Sequence, residues 1–368
     1  MTDATLSSPI GKPLRKDLVG WAAAAVAVVL IVIGGVTGLI AEGTIAYRIL
    51  IGPFVEMVTI PDLFVQTIWE GFVGGVLYAL IALGFVLIFK ASGVFNFAQG
   101  IMVVFAGLTL VGVYEKFAAF GFSGMIAAYV ALAAALAVMF LLAVAVERVV
   151  LRPLVNQPDI ILFMATFGLT YLLIGLGETI FGGSPKVMIA EQLGLPSGAI
   201  DLNILGGRVS LQKLDIAAAL IAIAMIAVLA FFFQYTRIGR ALRAVADSHK
   251  AALSVGISLN QIWIIVWFTA GIVALITGIM WGARSDVSFG LQTIALKALP
   301  VLILGGFTSV PGAIVGGLII GIGEKIGEFY WGPLFGNGIE SWLAYVIALA
   351  FLMFRPQGLF GDKIIERI

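Results

Sequence analysis

Arg237, Arg240 and Arg243 stand at every third position in the stretch YTRIGRALRAVADSHKAALSVGISLN, Tyr235 to Asn260. At helical spacing they fall along one side, with Ile238, Leu242 and Val245 facing elsewhere. A row of guanidinium groups binds anions and carboxylates; it does no covalent chemistry. Two uses fit: an interfacial helix held against anionic headgroups, or a docking element for another protein, in which Gly239 permits close approach. After Asp247, the run Lys250-Ala251-Ala252 followed by Gly256 reads as a short helix, a break and a return to apolar chain. Other reactive chemistry is scarce. The chain has no cysteine and a single histidine, His249, so thiolate and multi-imidazole metal or redox centres are set aside. No nucleophile stands out beside a paired base, and no G-x-x-x-x-G-K-[ST] phosphate loop occurs. We therefore expect no catalytic residue, no metal site and no cofactor bound by this chain.

The elements that hold this polar stretch are built for lipid. Of 368 residues, 61% are hydrophobic and 11% charged, and the mean hydropathy is +1.14; soluble domains do not reach these values. A formal net charge of +1 argues against a nucleic-acid partner. The composition predicts an all-α fold, a polytopic transmembrane bundle.

A bilayer core needs roughly 20 helical residues with few charges. Runs of that kind are Leu18–Ile40, Val65–Phe89, Asn96–Val113, Phe122–Val146, Ile160–Phe181, Leu214–Gln234 and Ile262–Ala283. The first follows Lys12, Arg15 and Lys16; it is long for a signal-peptide core and no clear small-x-small cleavage site follows, so it reads as a retained helix. Basic residues set the orientation. With the N-terminus inside, Lys90, Arg148, Arg152, the arginine row and the basic C-terminus also lie inside, as the positive-inside rule asks.

Parity then requires an odd number of crossings between Ala283 and Phe354. Ile294–Gly306 gives only about 20 Å of helix, too short to span, and reads as a half-helix. The turn GGFTSVPG, Gly305 to Gly312, would lie at membrane depth, which is tolerated only where the backbone faces protein or a wet cavity. The expected total is about nine to ten membrane segments, with a broken or half-helix near residues 294–312. The organisation is residues 1–17 as an inner tail, 18–64 as an additional helix and outer segment, 65–360 as the membrane unit and 361–368 as a second inner tail.

Polar residues inside such a bundle point to function. Asn96, Gln99, Thr308 and Ser309 open helices near the expected midplane turns and are read as lining a polar pathway. Glu178, Glu324, Lys325 and Lys297 lie at the ends of apolar runs and are read as reaching the outer interface by snorkelling. No dedicated charged pair for an α-amino acid is visible. Glycine runs GFVGG (Gly71–Gly75), GAIVGG (Gly312–Gly317) and GLIIGIG (Gly317–Gly323) suit close helix packing. NFAQGIMVVFAG from Asn96 and SVPGAIVGGLIIG from Ser309 faintly echo each other, as in duplicated transporter halves. The outer segment Gly182–Gln212 is long for a connector and suits docking of a binding protein or a loosely ordered cap.

From about Val65 to Phe360 the chain resembles the permease subunits of branched-chain, or hydrophobic, amino acid ABC importers. The resemblance rests on GFVGGVLYALIALGFVLIFKASGVFNFAQG (Gly71–Gly100), ERVVLRPL (Glu147–Leu154), TRIGRALRAVADSHKAALSVGIS (Thr236–Ser258), LILGGFTSVPGAIVGGLIIGIGE (Leu302–Glu324) and FRPQGLFG (Phe354–Gly361). It implies a non-enzymatic, multi-pass subunit of the bacterial inner membrane with both termini cytoplasmic. It also implies a second permease subunit, homologous or identical, two cytoplasmic ATP-binding subunits that use ATP and Mg, and a periplasmic solute-binding protein.

Tyr235–Asn260 would then be the ATPase-coupling loop, carried by Arg237, Gly239, Arg240, Arg243, Asp247, Lys250, Ala251, Ala252 and Gly256. The family pattern E-A-A-x-x-x-G is matched at Ala251, Ala252 and Gly256, with Lys250 where the acid would be. Gln99 stands where relatives commonly carry His, and Leu18–Ile40 looks like an addition to the family core. The favoured solute is a branched-chain amino acid. Urea, short amides or aromatic acids moved by the same machinery, an ion-coupled secondary carrier using Glu178 or Glu324, and a channel are the alternatives.

Overall fold

In the computed structural model the described residues are 45–361, except 94, 155, 156, 205 and 248. The expected helix Leu18–Ile40 and the tail beyond residue 361 lie outside them. Helices α1 (Ile45–Leu50) and α2 (Gly52–Thr59) lead into α3 (Pro61–Ser92) and then α4 (Gln99–Ala119). Helix α5 (Met125–Ala145) continues as a π-helical turn, Val146–Leu151, and is followed by α6 (Asp159–Phe181). Strands β1 (Ala199–Ile204) and β2 (Gly207–Gln212) precede α7 (Lys213–Tyr235). Two short helices, α8 (Arg237–Asp247) and α9 (His249–Ser254), turn the chain into α10 (Leu259–Ser285). The chain closes with α11 (Leu291–Leu296), α12 (Ala298–Gly305), α13 (Val310–Phe335) and α14 (Glu340–Phe354).

Among the described residues 7 helices are long and apolar enough to cross a membrane, and the protein is a multi-pass helical membrane protein. Two further apolar pieces, Leu291–Gly305 and Glu340–Phe354, are shorter. Length and composition therefore do not by themselves yield the expected count of segments. The all-α expectation also needs a correction, because β1 and β2 pair antiparallel from Ala199↔Gln212 to Ile204↔Gly207. The reason is legible in the residues: Ile200, Leu202 and Ile204 alternate with Asp201 and Asn203, the period of a strand.

From Gly71 to Phe89, helix α3 carries no charge on any face, the signature of a helix wrapped by others. Its most apolar window is 89% buried, against 28% for α5 and for α6. Those outer helices, with α7, turn Phe140, Met164, Leu172, Leu220 and Phe231 outward, as lipid-facing surfaces require. The glycine runs explain how α3 meets α13. A β-carbon on Gly71 would stand 2.7 Å from Ile322 Cα, and one on Gly75 2.7 Å from Gly317 O. A second crossing joins α4 to α10, where a β-carbon on Gly278 would stand 2.6 Å from Val103 O. Without a hydrophobic drive between helices in lipid, such close approach supplies the packing attraction.

The expected half-helix is present as α11 and α12, broken at Lys297. Pro300 has no N–H to offer the carbonyl of Leu296, and Tyr345 Oη donates to that oxygen instead at 3.4 Å. At the end of α12 the carbonyls of Leu304 and Gly305 receive the N–H groups of Leu359 and Phe360 at 2.8 and 3.1 Å. The FRPQGLFG segment thus satisfies the backbone of the GGFTSVPG turn. This turn sits beside the chain leaving α14, at one end of the bundle, and not at its middle.

Candidate functional site

The basic stretch folds as a helical hairpin at the end of the bundle where α3 and α7 finish. Thr236 ends α7 and starts α8: its Oγ1 donates to Phe232 O at 2.6 Å and accepts from Gly239 N at 3.0 Å. That is the N-cap geometry a helix start needs for its free N–H groups. Gly239 is required there, because a β-carbon would lie 2.5 Å from the carbonyl carbon of Phe233. The apolar side is buried as the spacing predicts, with Leu242 2% and Val245 0% exposed.

The three arginines divide their work. Arg243 donates to Phe233 O at 2.5 Å and to Gln234 O at 3.3 Å, and Arg240 donates to Tyr235 O at 3.3 Å. Both cap the carbonyl end of α7, where positive charge complements the helix dipole. Arg237 is exposed and has no such partner among the described residues. The sequence row therefore does not form a single free comb of charge.

Helix α9 ends in a Schellman cap: Gly256 N bonds Leu253 O at 3.0 Å and Ile257 N bonds Ala252 O at 3.0 Å. Gly256 has φ +82, which a glycine adopts without strain. Ala252 is 1% exposed and packs inward, whereas Leu253 is 54% and Val255 73% exposed. The pattern A-A-x-x-x-G is thus a helix, an inward alanine and a left-handed stop. The side chains of Asp247, His249, Lys250 and Ala251 lie outside the described residues.

Thr308 and Ser309 are brought to this same end. They line a cavity of about 520 Å³ with Phe89, Lys90, Ala246 and Phe360. Ser309 Oγ also accepts from Gly312 N at 3.0 Å and caps α13. Asn96 and Gln99 do not join them. Both are 0% exposed. Asn96 Nδ2 donates to Gln99 Oε1 at 3.4 Å, Gln99 Nε2 donates to Ala270 O at 3.3 Å, and Asn96 Oδ1 accepts from Ala98 N at 3.1 Å. They tie the start of α4 to α10 as satisfied buried amides.

A second cavity, of about 200 Å³, lies between α3, α10, α11, α13 and α14 toward the opposite end. Glu324 is 1% exposed, and its Oε1 accepts from Lys297 Nζ at 2.6 Å and from Tyr78 Oη at 3.1 Å. Lys325 Nζ pairs with Glu340 Oε2 at 2.9 Å. Arg284 reaches Asp215 Oδ1 at 3.2 Å and stacks over the Trp281 ring, which itself stacks on Tyr78. Expected snorkelling of Glu324 and Lys297 is corrected: α13 continues to Phe335 past Glu324, so the glutamate is inside the bundle and finds its cation there. Glu178, by contrast, is exposed at the end of α6.

The long segment 182–212 is anchored rather than loose. Lys186 and Val287 exchange backbone hydrogen bonds at 2.9 and 2.8 Å, Lys186 pairs with Glu115, and Met188 and Ile189 are buried. Among the described residues no group of His, Cys, Asp and Glu is placed to hold a metal ion.

A family model described as branched-chain amino acid transport system, permease component, matches residues 67–355. The chain is 26% identical over 314 residues to the high-affinity branched-chain amino acid transport system permease protein BraD of Pseudomonas aeruginosa, covering 83% of this chain and 98% of that one. It is 25% identical over 319 residues to LivH of Salmonella typhimurium, with 83% and 98% covered. A probable branched-chain amino acid transport permease protein LivH of Methanocaldococcus jannaschii is 25% identical over 298 residues, with 78% and 91% covered.

Proposed function

Since the chain belongs to the permease components of branched-chain amino acid transport systems, we propose that it is the membrane subunit of an ABC importer moving a small amphipathic solute, a branched-chain amino acid. It works beside a second permease subunit, homologous or identical. Two cytoplasmic ATP-binding subunits consume ATP and Mg on its behalf, and a periplasmic binding protein delivers the solute. The protein lies in the bacterial inner membrane with α8 and α9 on the cytoplasmic side, and it is not itself an enzyme.

The observation that carries this reading is the surface of α9. Leu253, 54% exposed near the end of α9, and Val255, 73% exposed just after it, stand on a turn fixed by the Gly256 cap. Exposed apolar side chains held on a fixed turn are what a partner groove takes up. A helix meant only for headgroups needs no rigid stop behind it. Movement of this hairpin passes to α7 through the Arg240 and Arg243 caps and to α3 through its buried face. The test is reconstitution with the ATP-binding and solute-binding partners. Uptake of L-leucine must require ATP hydrolysis; uptake that persists when hydrolysis is blocked would overturn the reading.

A further inference from the structure

The cavity around Glu324 has a chemical character that an ordinary buried ion-pair network lacks. Its wall carries three cations, Arg284, Lys297 and Lys325, and three anions, Glu70, Glu324 and Glu340. Charges of both signs on one wall suit a dipolar solute over one that carries a single sign. Three polar atoms on residues of the lining, Glu324 Oε2, Arg284 Nη1 and Trp281 Nε1, are buried with no hydrogen-bond partner among the described residues. Unpaired buried atoms of this kind are costly, and three on one cavity call for an occupant. One is an acceptor on a carboxylate and two are donors, and the two donors sit three residues apart on one face of α10. An ammonium group answers the first and a carboxylate answers the other two.

The walls offer the rest. Tyr78 and Trp281 stack with ring centroids 5.6 Å apart and supply an apolar side. At Gly74 a β-carbon would meet nothing within 4 Å, so the glycine leaves room instead of close contact. A volume of about 200 Å³ equals roughly seven waters of bulk liquid, room for a small solute.

We propose that this cavity is a binding site on the solute's path. It takes a zwitterionic amino acid, with the carboxylate toward Arg284 Nη1 and Trp281 Nε1 and the ammonium toward Glu324 Oε2. This rests on the importer reading for the direction of flow, but binding itself is independent of ATP. The chain is naturally free of cysteine, so Ser285→Cys at the cavity rim gives one reporter thiol.

The experiment measures modification of that thiol by a membrane-impermeant methanethiosulfonate in the reconstituted full complex. The ligands are millimolar L-leucine, 4-methylpentanoate, which lacks the ammonium, and 3-methylbutylamine, which lacks the carboxylate. L-leucine slows the reaction and neither single-charge analogue does so. Adding Trp281→Phe, which removes one donor and keeps an aromatic wall, raises the half-protecting leucine concentration about tenfold, the value of one lost hydrogen bond to a charged group. Adding Gly74→Val, which fills the space and removes no charge, abolishes protection. Equal protection by leucine and 4-methylpentanoate overturns the proposal, as does no protection by leucine in a complex that shows ATP-driven uptake. In the last case the importer reading survives; protection without ATP-driven uptake has the opposite meaning.

Discussion

Gly75 and Gly317 touch backbone to backbone: a β-carbon on Gly75 would stand 2.7 Å from the carbonyl oxygen of Gly317, and one on Gly317 2.6 Å from that of Gly75. Central helix α3 and helix α13 are thereby locked at one point, and the charged cavity is lined by their next turns. Gly317→Leu drives a side chain into backbone that has no rotamer to yield, and it should cost the fold about 3 kcal/mol. Gly168→Leu, on an exposed turn of α6 with nothing within 4 Å of its β-carbon, is the matched control. Monodisperse yield and thermal stability in detergent should fall for the first and hold for the second.

Arg243 and Arg237 should separate stability from coupling. Removing Arg243 strips two carbonyl caps from α7, so Arg243→Ala lowers thermal stability by about 1 kcal/mol. Arg237 is exposed, and Arg237→Ala leaves stability unchanged while weakening ATPase binding. The pair of measurements is a melting curve and co-purification of the ATP-binding subunit.

Gly256→Ala places a β-carbon at φ +82, a strain of about 1–2 kcal/mol localised at the end of α9. Leucine uptake per ATP hydrolysed should drop as the helix loses its stop. Gly256→Asn tolerates the left-handed conformation better and should retain more coupling than alanine.

The Lys297 and Glu324 side chains are 13% and 1% exposed, so each alone leaves the other a buried unpaired charge. Glu324→Met should destabilise by about 3–5 kcal/mol, and Lys297→Met with Glu324→Met should recover most of that loss. Thermal unfolding of the two variants decides it. Recovery of stability without recovery of leucine uptake is expected if the pair serves the solute.

The membrane-spanning helices were readable because lipid imposes one rule on every span. The expected span Ile160–Phe181 falls within one residue of helix α6, Asp159–Phe181, because charge and polarity rise sharply on both sides of it. The GGFTSVPG turn and the short helix before it were also readable, since Leu291–Gly305 is simply too short. What was misread has one cause. Glu324 interrupts an apolar run, and a run ended by a charge looks like a helix end. Its partner Lys297 lies 27 residues away on another element, a pairing that no local pattern carries. Arg243 shows the same limit of local pattern: spacing puts it on one side of a helix, and only the fold brings it to the carbonyls of Phe233 and Gln234. Asn96 and Gln99 read as polar groups in need of partners, and the fold supplies these from each other and from the carbonyl of Ala270.

The account depends most on where α9 stands in the assembled particle. Leu253→Cys, in a chain otherwise without cysteine, can be probed with a membrane-impermeant maleimide in spheroplasts and in inside-out vesicles. The account predicts modification only in inside-out vesicles, and loss of that modification when the ATP-binding subunits are bound. Modification in spheroplasts, or equal reactivity with and without the bound ATP-binding subunits, would contradict it.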